Sequence, residues 1–341
     1  MSARVDRDAL ITGIAGQDGI YLAQFLGGQG YRITGTVPPG SEAATHYAPY
    51  LHGVDVVEVD VRDVAEMRRL VFSVRPNEVY NLAALSSVGS SWDDAREVGE
   101  VNGTSVGRLL EILVRYRDEC GQAPRFFQAS SAEIFGPAHS QPLSEGTPRA
   151  PQSPYGYAKR IAHDSTVRFR TEYDLFACNG ILFNHESPLR RPQFVTRKIT
   201  RAAAEISAGL RTELRLGTLD VRRDWGAAAD YVRAMWLMLQ QPTAQDYVVA
   251  TGAATSLRDF VTTAFACAGI DDPWAYVQED PAIARPADPE QLLGDPSRAR
   301  HELGWAAQTP LTDVIRQMVA VDIERIRRGA EESSDYLTWR I

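Results

Sequence analysis

Short apolar runs alternate with amphipathic segments through the first half of the chain. Six runs have the length and composition of buried strands: ALITGI, YRITGTV, VDVVEVDV, EVYNLAA, RFFQASS and ACNGILFN. The segments between them carry apolar residues at helical spacing, as in DGIYLAQFLGGQG, VAEMRRLVFSVRP and NGTSVGRLLEILVRYRDE. Alternation of strands and helices predicts βαβ units, and therefore a parallel sheet with helices on both faces.

After residue 185 this alternation loosens. The pattern there predicts a helix over VTRKITRAAAEISAGL, a short strand over ELRLG, a helix over DYVRAMWLMLQQ and a proline-rich loop over EDPAIARPADPEQLLGD. We expect an α/β protein with a Rossmann-type doubly wound parallel sheet and a smaller mixed α/β C-terminal lobe. The expected sheet domain covers residues 1–180 with a returning segment around 217–250, and the lobe covers 181–216 and 251–341.

Composition narrows the class of protein. The 341 residues are 44% hydrophobic and 23% charged, which is typical of a globular protein. No apolar run reaches the roughly 18 residues that a membrane helix needs, and the N-terminus lacks a signal-peptide pattern. The odd, scattered set of three cysteines favours a reducing cytoplasm, and the histidines lack zinc spacing, so no metal is expected. The net charge of −8 argues against a nucleic-acid partner, although local arginines can still bind phosphate.

The stretch ALITGIAGQDGIYLA has glycines directly after the first strand, at the start of a helix. Gly13, Gly16 and Gly19 let the backbone turn tightly and approach a pyrophosphate, whose charge the helix N-terminus favours. An ordinary strand-to-helix turn can show the same spacing. Its position in a βαβ series favours dinucleotide binding, with Gln17 and Asp18 in the same turn.

The end of the second strand does not identify the dinucleotide. An acidic residue there would bind the ribose of NAD and an arginine the 2′-phosphate of NADP, but the chain has Pro38 and Pro39. NAD and NADP therefore both remain open. Asp60, after the third strand, is expected to contact the adenine or else to cap the following helix. Leu82 and Ala83, after the fourth strand, are also expected at the cofactor.

The stretch SPYGYAK contains Tyr155 and Lys159 at i and i+4, on one face of a predicted helix. Ser153 suits the N-cap of this helix and Pro154 its first turn. An ammonium beside the phenol and a positive nicotinamide ring would both favour the phenolate, which could take a proton from a sugar hydroxyl. The alternative is a surface pair without chemistry.

Glu133 lies in SSAEIFG, just past the strand RFFQASS and close to two hydroxyls. It is interpreted either as a base beside a reactive carbon or as a loop carboxylate that caps a helix.

These motifs together resemble the extended short-chain dehydrogenase/reductases, and within them the GDP-mannose 4,6-dehydratases. The resemblance extends over essentially the whole chain, through ITGIAGQDG, EVYNLAALSSV, RFFQASSAEIFG, SPYGYAK, ACNGILFNHESP, FVTRKITRA, RRDWG, VVATG and LLGDPSRARHELGW. It implies a tightly bound NADP or NAD that is regenerated in each turnover. It also implies that Tyr155 and Lys159 act in oxidation at C4, that Ser131 contacts the C4 oxygen, and that Glu133 removes the C5 proton.

The same resemblance implies a nucleotide diphosphate sugar as substrate. Arg223 and Arg285 are the expected diphosphate ligands, Lys198 lies near the nucleotide, and Asn184 and Ser86 contact the sugar or diphosphate. Each of these could instead be a surface charge or turn residue. His185 and Glu186 are interpreted as structural neighbours. A homodimer through helices over 103–118 and 154–172, or a homotetramer, is expected.

Several positions depart from the family pattern. Pro38-Pro39 stands where an arginine pair is usual, and Ala132 where related dehydratases have Ser or Asp. In HESPLRRPQFV, Leu189 replaces an arginine, and Arg191, Pro192 and Gln193 also differ. Ala227 stands in place of a histidine. The remaining departures near the sugar are Leu85, Ser87 and Gly89.

The sequence therefore predicts a nucleotide-sugar 4,6-dehydratase, with GDP-mannose as the favoured substrate and GDP-4-keto-6-deoxymannose as product. One alternative is a related dehydratase, epimerase or reductase that acts on another nucleotide sugar, because several sugar-side positions differ. The other is a catalytically silent dinucleotide sensor, which would not need to retain Ser131, Glu133, Tyr155 and Lys159.

Overall fold

The computed structural model describes residues 7–137, 142–283 and 289–337. The strands are β1 (Asp8–Thr12), β2 (Arg32–Val37), β3 (Val54–Glu58), β4 (Glu78–Asn81), β5 (Arg125–Ser131), β6 (Ala177–Leu182), β7 (Asn184–Glu186), β8 (Leu214–Leu216), β9 (Arg222–Ala227), β10 (Tyr247–Val249), β11 (Ala254–Ser256), β12 (Val277–Glu279) and β13 (Gln291–Leu292). The helices are α1 (Gln17–Gly28), α2 (Ala43–His46), α3 (Val64–Val74), α4 (Ala95–Gly99), α5 (Ser105–Cys120), α6 (Pro154–Glu172), α7 (Val195–Ser207), α8 (Ala228–Gln240), α9 (Leu257–Cys267), α10 (Ser297–Leu303) and α11 (Leu311–Arg328). Within the described ranges, no helix is both long enough and apolar enough to span a bilayer.

Seven strands form one sheet in the order β10-β6-β5-β4-β1-β2-β3, and every neighbouring pair is parallel. The predicted doubly wound sheet is therefore confirmed. The order reverses at β1, because β2 and β3 lie on one side of it and β4, β5 and β6 on the other. Such a reversal opens a crevice at the carboxyl ends of the strands, where ligands of these folds bind.

Alternate residues of the central strands point to opposite faces, and each face is covered by helices. Ile11, Tyr80 and Phe127 belong to a buried cluster that includes α1 and α8. Leu10, Val79 and Phe126 belong to a second cluster that includes α3 and α5. Burial on both faces explains why the strand sequences are almost continuously apolar.

The chain leaves the large sheet at Phe183 and enters a second, smaller one. The run ACNGILFN, predicted as a single strand, is divided between β6 and β7, and β7 pairs in parallel with β9. β9 also pairs with β11 and β13, and β8 pairs with β12. β13 lies in the segment expected to be loop, because Gln291 and Leu292 are in register with β9.

Residues 228–249 return to the large sheet as α8 and β10, whereas β9 stays in the small one. The small sheet packs with α7, α9 and α11 around a core of its own. The exact division of the chain into domains stays a prediction.

Two glycines of α1 give a matched test of the turn that begins this helix. A Cβ on Gly19 would lie 2.6 Å from both Gly13 O and Ile14 O, whereas a Cβ on the exposed Gly28 would meet nothing within 4 Å. We expect Gly19→Ala to lower the free energy of unfolding by about 1–3 kcal/mol, because the backbone must move. Gly28→Ala should be neutral or stabilising by up to about 1 kcal/mol, because alanine favours helix. Urea denaturation measures both, and equal effects would contradict the packing at Gly19.

Candidate active site

A single cavity of about 1040 Å³ lies in the crevice at the carboxyl ends of the large sheet. It brings together all the described residues that the sequence predicts at the site. They are Gly13, Gly16, Gln17, Asp18, Gly19, Asp60, Leu82, Ala83, Ser86, Ser131, Glu133, Tyr155, Lys159, Asn184, Lys198 and Arg223. Arg285, the second expected diphosphate ligand, lies outside the described residues.

The glycine turn has the shape that a pyrophosphate site requires. Gly13 has φ +73°, which favours glycine, and a Cβ there would lie 2.8 Å from the Ala83 backbone. A Cβ on Gly16 would meet only Gly13 O, at 3.2 Å, so this glycine faces open cavity. Gly16 is also the N-cap of α1. The first N–H groups of a helix have no partner within the helix, so this turn fits a dinucleotide pyrophosphate.

Three buried polar side chains, those of Thr12, Asn81 and Gln128, are joined by hydrogen bonds beside the glycine turn. Thr12 Oγ1 donates to Asn81 Oδ1 at 2.6 Å, and Asn81 Nδ2 donates to Gln128 Oε1 at 2.8 Å. Thr12 Oγ1 also accepts from the backbone N–H groups of Leu82 and Ala83, each at 3.1 Å. The carboxyl ends of β1, β4 and β5 are thereby held together beside the glycine turn.

Asp60 lies at the far end of the same cavity and does not cap a helix. The N-cap of α3 is Asp63, whose side chain accepts from Glu66 N, so the capping alternative for Asp60 is wrong. Asp60 instead accepts from Arg62 N at 2.8 Å and binds the Arg62 guanidinium at 2.6 Å. Arg62 also lines the cavity, and the sequence reasoning missed it. The sequence feature that could have indicated Arg62 is a positive charge two residues after Asp60, the expected adenine contact.

Tyr155 and Lys159 lie on the first turns of α6 and are both buried. Ser153 Oγ accepts from Gly156 N at 3.0 Å, which confirms the predicted N-cap. Lys159 Nζ donates to Ala129 O of β5 at 2.8 Å and lies 5.7 Å from the centre of the Tyr155 ring. The helix is thus fixed at both its first turn and its lysine.

Glu133 lies in a short 3-10 helix, Ala132–Ile134, directly after β5, and lines the cavity. Ser131, rather than Glu133, caps this helix, since its Oγ accepts from Glu133 N at 3.2 Å. A Cβ on Gly156 would lie 2.7 Å from Glu133 O, so α6 packs directly against the Glu133 turn. Ser131, Glu133 and Tyr155 are therefore held next to one another.

Burial dominates the protonation of the Tyr155–Lys159 pair. It raises the pKa of Tyr155 to about 12, although the hydrogen bond with Ser131 lowers it. Burial also lowers the pKa of Lys159 to about 8, against the opposing charge of Asp18. The net shift of the Tyr155 pKa is upward because the phenolate is desolvated in the buried site.

His185 and Glu186 form structural contacts beside the cavity. His185 Nε2 lies 2.8 Å from Asp18 Oδ2, and Nδ1 lies 2.7 Å from Phe183 O. Burial lowers the pKa of His185, but the charge of Asp18 outweighs this and the net pKa is raised. Glu186 accepts from Thr196 Oγ1 at 2.5 Å. The sequence reasoning missed that Asp18 is the partner of His185.

Residues that follow β6 in the chain line another part of the cavity. Arg223 is buried and donates to Arg222 O at 2.8 Å, and Lys198 Nζ donates to Arg215 O at 2.7 Å. The segment after β7 contributes Arg190, Arg191 and Gln193 to the lining. Arg190 was not singled out in the sequence, and its guanidinium lies 3.7 Å from the centre of the Phe194 ring.

The departures from the family pattern fall into two groups. Ala132, Leu189 and Ala227 are buried in apolar clusters. Leu85, Ser87 and Gly89 instead line the cavity. Changes at the second group therefore alter the lining of the cavity, whereas changes at the first group are part of the packing.

The fold and this arrangement of side chains define an extended short-chain dehydrogenase/reductase. A solved dTDP-glucose 4,6-dehydratase from Streptomyces venezuelae superimposes with a TM-score of 0.80 at 22% identity, covering 94% of this chain and 98% of the other. The sequence profile of the GDP-mannose 4,6 dehydratase family matches residues 10–318. GDP-mannose 4,6 dehydratase 2 of Arabidopsis thaliana is 44% identical over 94% of this chain and 88% of its own, and GDP-mannose 4,6-dehydratase of Yersinia enterocolitica is 40% identical over 95% and 96%. The chain belongs to the GDP-mannose 4,6-dehydratase family.

The Asp18–His185 pair predicts a distinctive histidine titration. In the wild-type protein, His185 should titrate above its ordinary value of 6.5. In Asp18→Asn it should titrate below 6.5, because burial remains and the compensating charge is gone. His163, whose pKa is lowered to about 4 by burial, serves as the internal control and should not respond. Ring-proton NMR against pH measures both histidines, and an unmoved His185 would contradict the pair.

Proposed function

We propose that this enzyme converts GDP-mannose to GDP-4-keto-6-deoxymannose and water, with no net consumption of its dinucleotide. The observation that carries the proposal is the convergence of Ser131, Glu133, Tyr155 and Lys159 on one cavity beside the glycine turn. Membership of the GDP-mannose 4,6-dehydratase family supports it. Oxidation alone would not need a carboxylate beside the tyrosine, so Glu133 favours a dehydratase over a simple dehydrogenase.

The residues that would hold NAD or NADP are Gly13, Gly16, Gln17, Asp18, Gly19, Asp60, Leu82, Ala83, Tyr155 and Lys159. When bound, the nicotinamide accepts a hydride from C4 and later returns it to C6. The protein has to supply proton transfer, orientation and exclusion of water.

Tyr155 takes the proton of the C4 hydroxyl, while Ser131 hydrogen-bonds the C4 oxygen. Lys159, whose ammonium donates to Ala129 O, favours the phenolate form of Tyr155 that can take this proton. The C4 ketone then acidifies the C5–H bond, so Glu133 can remove that proton. The C6 hydroxyl leaves as water. A bound dinucleotide would supply the hydride at C6, and the proton taken from the C4 hydroxyl balances the proton that C5 regains in the 6-deoxy product.

Protonation of the leaving hydroxyl falls to Glu133 as well. Related dehydratases carry Ser or Asp at the position of Ala132, but Ala132 is 2% exposed and packs in an apolar cluster with Ile134 and Phe135. The described lining offers Glu133 as the carboxylate next to Ser131 and Tyr155. The proton that it takes from C5 can pass to the C6 oxygen, which balances the elimination.

The substrate would extend from the catalytic residues into the second lobe. Arg223 and Arg285 bind the diphosphate, because guanidinium groups pair well with phosphate. Lys198 lies toward the nucleotide, and Asn184 and Ser86 contact the sugar or diphosphate. In this proposal residues 1–180, with the returning segment around 217–250, hold the dinucleotide, and 181–216 with 251–341 hold the nucleotide sugar.

A different nucleotide sugar is the second candidate. Leu85, Ser87 and Gly89 line the cavity and replace larger or polar family residues. A catalytically silent sensor has less support, because it would not need the four chemical groups in one place.

We also propose a cytoplasmic homo-oligomer. The three cysteines are free thiols, and Tyr157 and Ile161 are exposed apolar residues on α6. Pairing of α5 and α6 with a second copy would cover them in a dimer. The proline-rich loop after β2 gives less support to a tetramer.

The proposed reaction is tested by incubating the purified enzyme with GDP-mannose. NMR of the product should show a 4-keto-6-deoxy sugar. Its formation should not require a stoichiometric amount of added dinucleotide. We expect Tyr155→Phe to bind the dinucleotide normally and to lose about 10²–10⁴-fold in turnover, since it lacks the proton acceptor. Tyr173→Phe, at the other end of α6, is the matched control and should turn over like wild type.

A panel of nucleotide sugars distinguishes the substrate alternatives. Turnover of another sugar in preference to GDP-mannose would favour the second candidate. No turnover of any sugar by the wild type would favour the sensor.

Glu133→Gln should separate oxidation from elimination. We expect this variant to retain oxidation at C4, which is measured by the absorbance of the reduced form of the dinucleotide. Its rate of water elimination should fall about 10²–10⁴-fold. Exchange of the C5 proton with deuterated solvent should fall in parallel, since Glu133 is the base. Glu172→Gln, in an exposed ion pair of α6, is the control. Unchanged elimination in Glu133→Gln would refute the base assignment.

A further inference from the structure

The loop after β2 has none of the cations that would recognise a 2′-phosphate. β2 ends at Val37, followed by Pro38, Pro39 and Gly40. Proline has no N–H donor, and neither ring carries charge. In Rossmann-type sites, this loop meets the ribose of the adenosine, where an arginine binds the extra phosphate of NADP. Pro38 and Pro39 therefore offer a 2′-phosphate neither an N–H donor nor a positive charge.

A carboxylate accepts a hydrogen bond from the backbone of this loop. Glu58 ends β3, directly in register with Val37, and its Oε2 accepts from Gly40 N at 3.0 Å. A 2′-phosphate bound at this amide would have to displace Glu58 and would meet its negative charge. A neutral 2′-hydroxyl meets no such repulsion, and it can donate a hydrogen bond to a carboxylate.

We define the adenosine end of the cavity as Thr36, Val37, Pro38, Ser41, Ala43, Val59, Asp60, Val61, Arg62 and Glu97. Among these described residues Arg62 is the one cation. Its guanidinium lies 2.6 Å from Asp60, 3.5 Å from Glu97 and 3.9 Å from Glu100. The hydrogen bond with Arg62 holds the pKa of Asp60 below its ordinary value, so this carboxylate is ionised at neutral pH.

Arg191 is the other cation to consider. It lines the cavity from the segment after β7. Burial and the charge of Glu332 raise the pKa of Tyr47, in the loop between β2 and β3, and the charge of Arg191 opposes this rise. Glu332 lies 2.5 Å from Tyr50 and 3.3 Å from His46 in the same region. Glu332 therefore places a negative charge in the region that the charge of Arg191 influences.

We propose that this enzyme selects NAD over NADP, because Glu58 and the Asp60–Arg62–Glu97 cluster make the adenosine end repel a 2′-phosphate. The inference rests on the proposed function only in that the chain must bind a dinucleotide. It assigns Glu58 and Asp60 as residues that determine cofactor specificity. Carboxylates select against the phosphate by unfavourable charge as much as by contact with the hydroxyl.

The dinucleotide released from the purified, untreated protein should be NAD when identified by mass spectrometry. Calorimetric titration of the cofactor-depleted enzyme with NAD⁺ and with NADP⁺ should give at least about tenfold tighter binding of NAD⁺. Added salt should narrow this ratio, since it screens the repulsion of exposed charges. If depletion unfolds the chain, exchange of the bound NAD for each added dinucleotide measures the same ratio.

Two variants test the residues. Glu58→Gln should tighten NADP⁺ binding severalfold and leave NAD⁺ binding within about twofold, because it removes charge without removing volume. Pro38→Arg should shift the ratio further in the same direction. Glu119→Gln is the control. Glu119, on α5, forms an exposed ion pair with Arg68 of α3, and its substitution should leave the ratio of the two affinities unchanged.

Equal or tighter binding of NADP⁺ by the wild type would overturn the inference. If Arg62→Gln or Arg191→Gln then weakened NADP⁺ selectively, that arginine would be the residue that binds the 2′-phosphate. Conversion of GDP-mannose by a wild type that binds NADP⁺ as tightly as NAD⁺ or more tightly would overturn the selectivity and leave the proposed function standing. Failure to bind either dinucleotide would overturn both.

Discussion

His185 uses both of its ring nitrogens to join the two halves of the cavity. Nε2 contacts the Asp18 carboxylate in the first turn of α1, and Nδ1 contacts Phe183 O, where the chain leaves the large sheet. The ring stacks on Tyr231, with centroids 4.5 Å apart. Ser187 Oγ donates to Gln17 Oε1 at 2.8 Å, a second link between the same segments. These contacts link the glycine turn to the segment that bears Asn184, and the separation of the two across the cavity depends on them.

Asp18 also affects the catalytic pair through its charge. Burial lowers the pKa of Lys159 and raises that of Tyr155, so both groups favour their neutral forms. The negative charge of Asp18 opposes the first effect and adds to the second. The site thus keeps a neutral phenol beside a lysine whose pKa is about 8. In the proposed reaction a phenol that is neutral at rest must lose its proton before it can take one from the substrate, and the adjacent lysine favours that loss.

Local sequence patterns predicted the large sheet and most of the cavity because those signals lie within a few residues. The glycine turn, Ser153 with Tyr155 and Lys159, and the strand-end Glu133 are all of this kind. Contacts across long separations were not predictable in the same way. Asp18 and His185 are distant in sequence, and periodicity carries no information about which of several carboxylates a histidine meets. The same holds for the division of ACNGILFN between two sheets, since a strand break without glycine or proline leaves no local mark.

Chemical similarity to the family also does not reveal which way a side chain points. The sequence alone does not distinguish the departures at Ala132, Leu189 and Ala227 from those at Leu85 and Ser87. Of these five residues, only Leu85 and Ser87 line the cavity. The direction of each side chain depends on the backbone around it, and that is fixed by packing remote from the residue.

Position 132 illustrates how packing limits the chemistry. The 3-10 turn after β5 places residue 133 toward the cavity and residue 132 into a cluster with Phe183, Val248 and Leu292. A hydroxyl or carboxylate buried in that cluster without a partner would cost stability, roughly 1–3 kcal/mol for a hydroxyl and more for a charge. An apolar residue at 132 therefore suits this packing, whereas an acid without a partner there would be destabilising. Because Gly156 packs on Glu133 O and brings α6 against the same turn, Glu133 is held beside Tyr155. In the proposed reaction one carboxylate fixed in this way serves both C5 and the C6 oxygen, so proximity takes the place of a second acid.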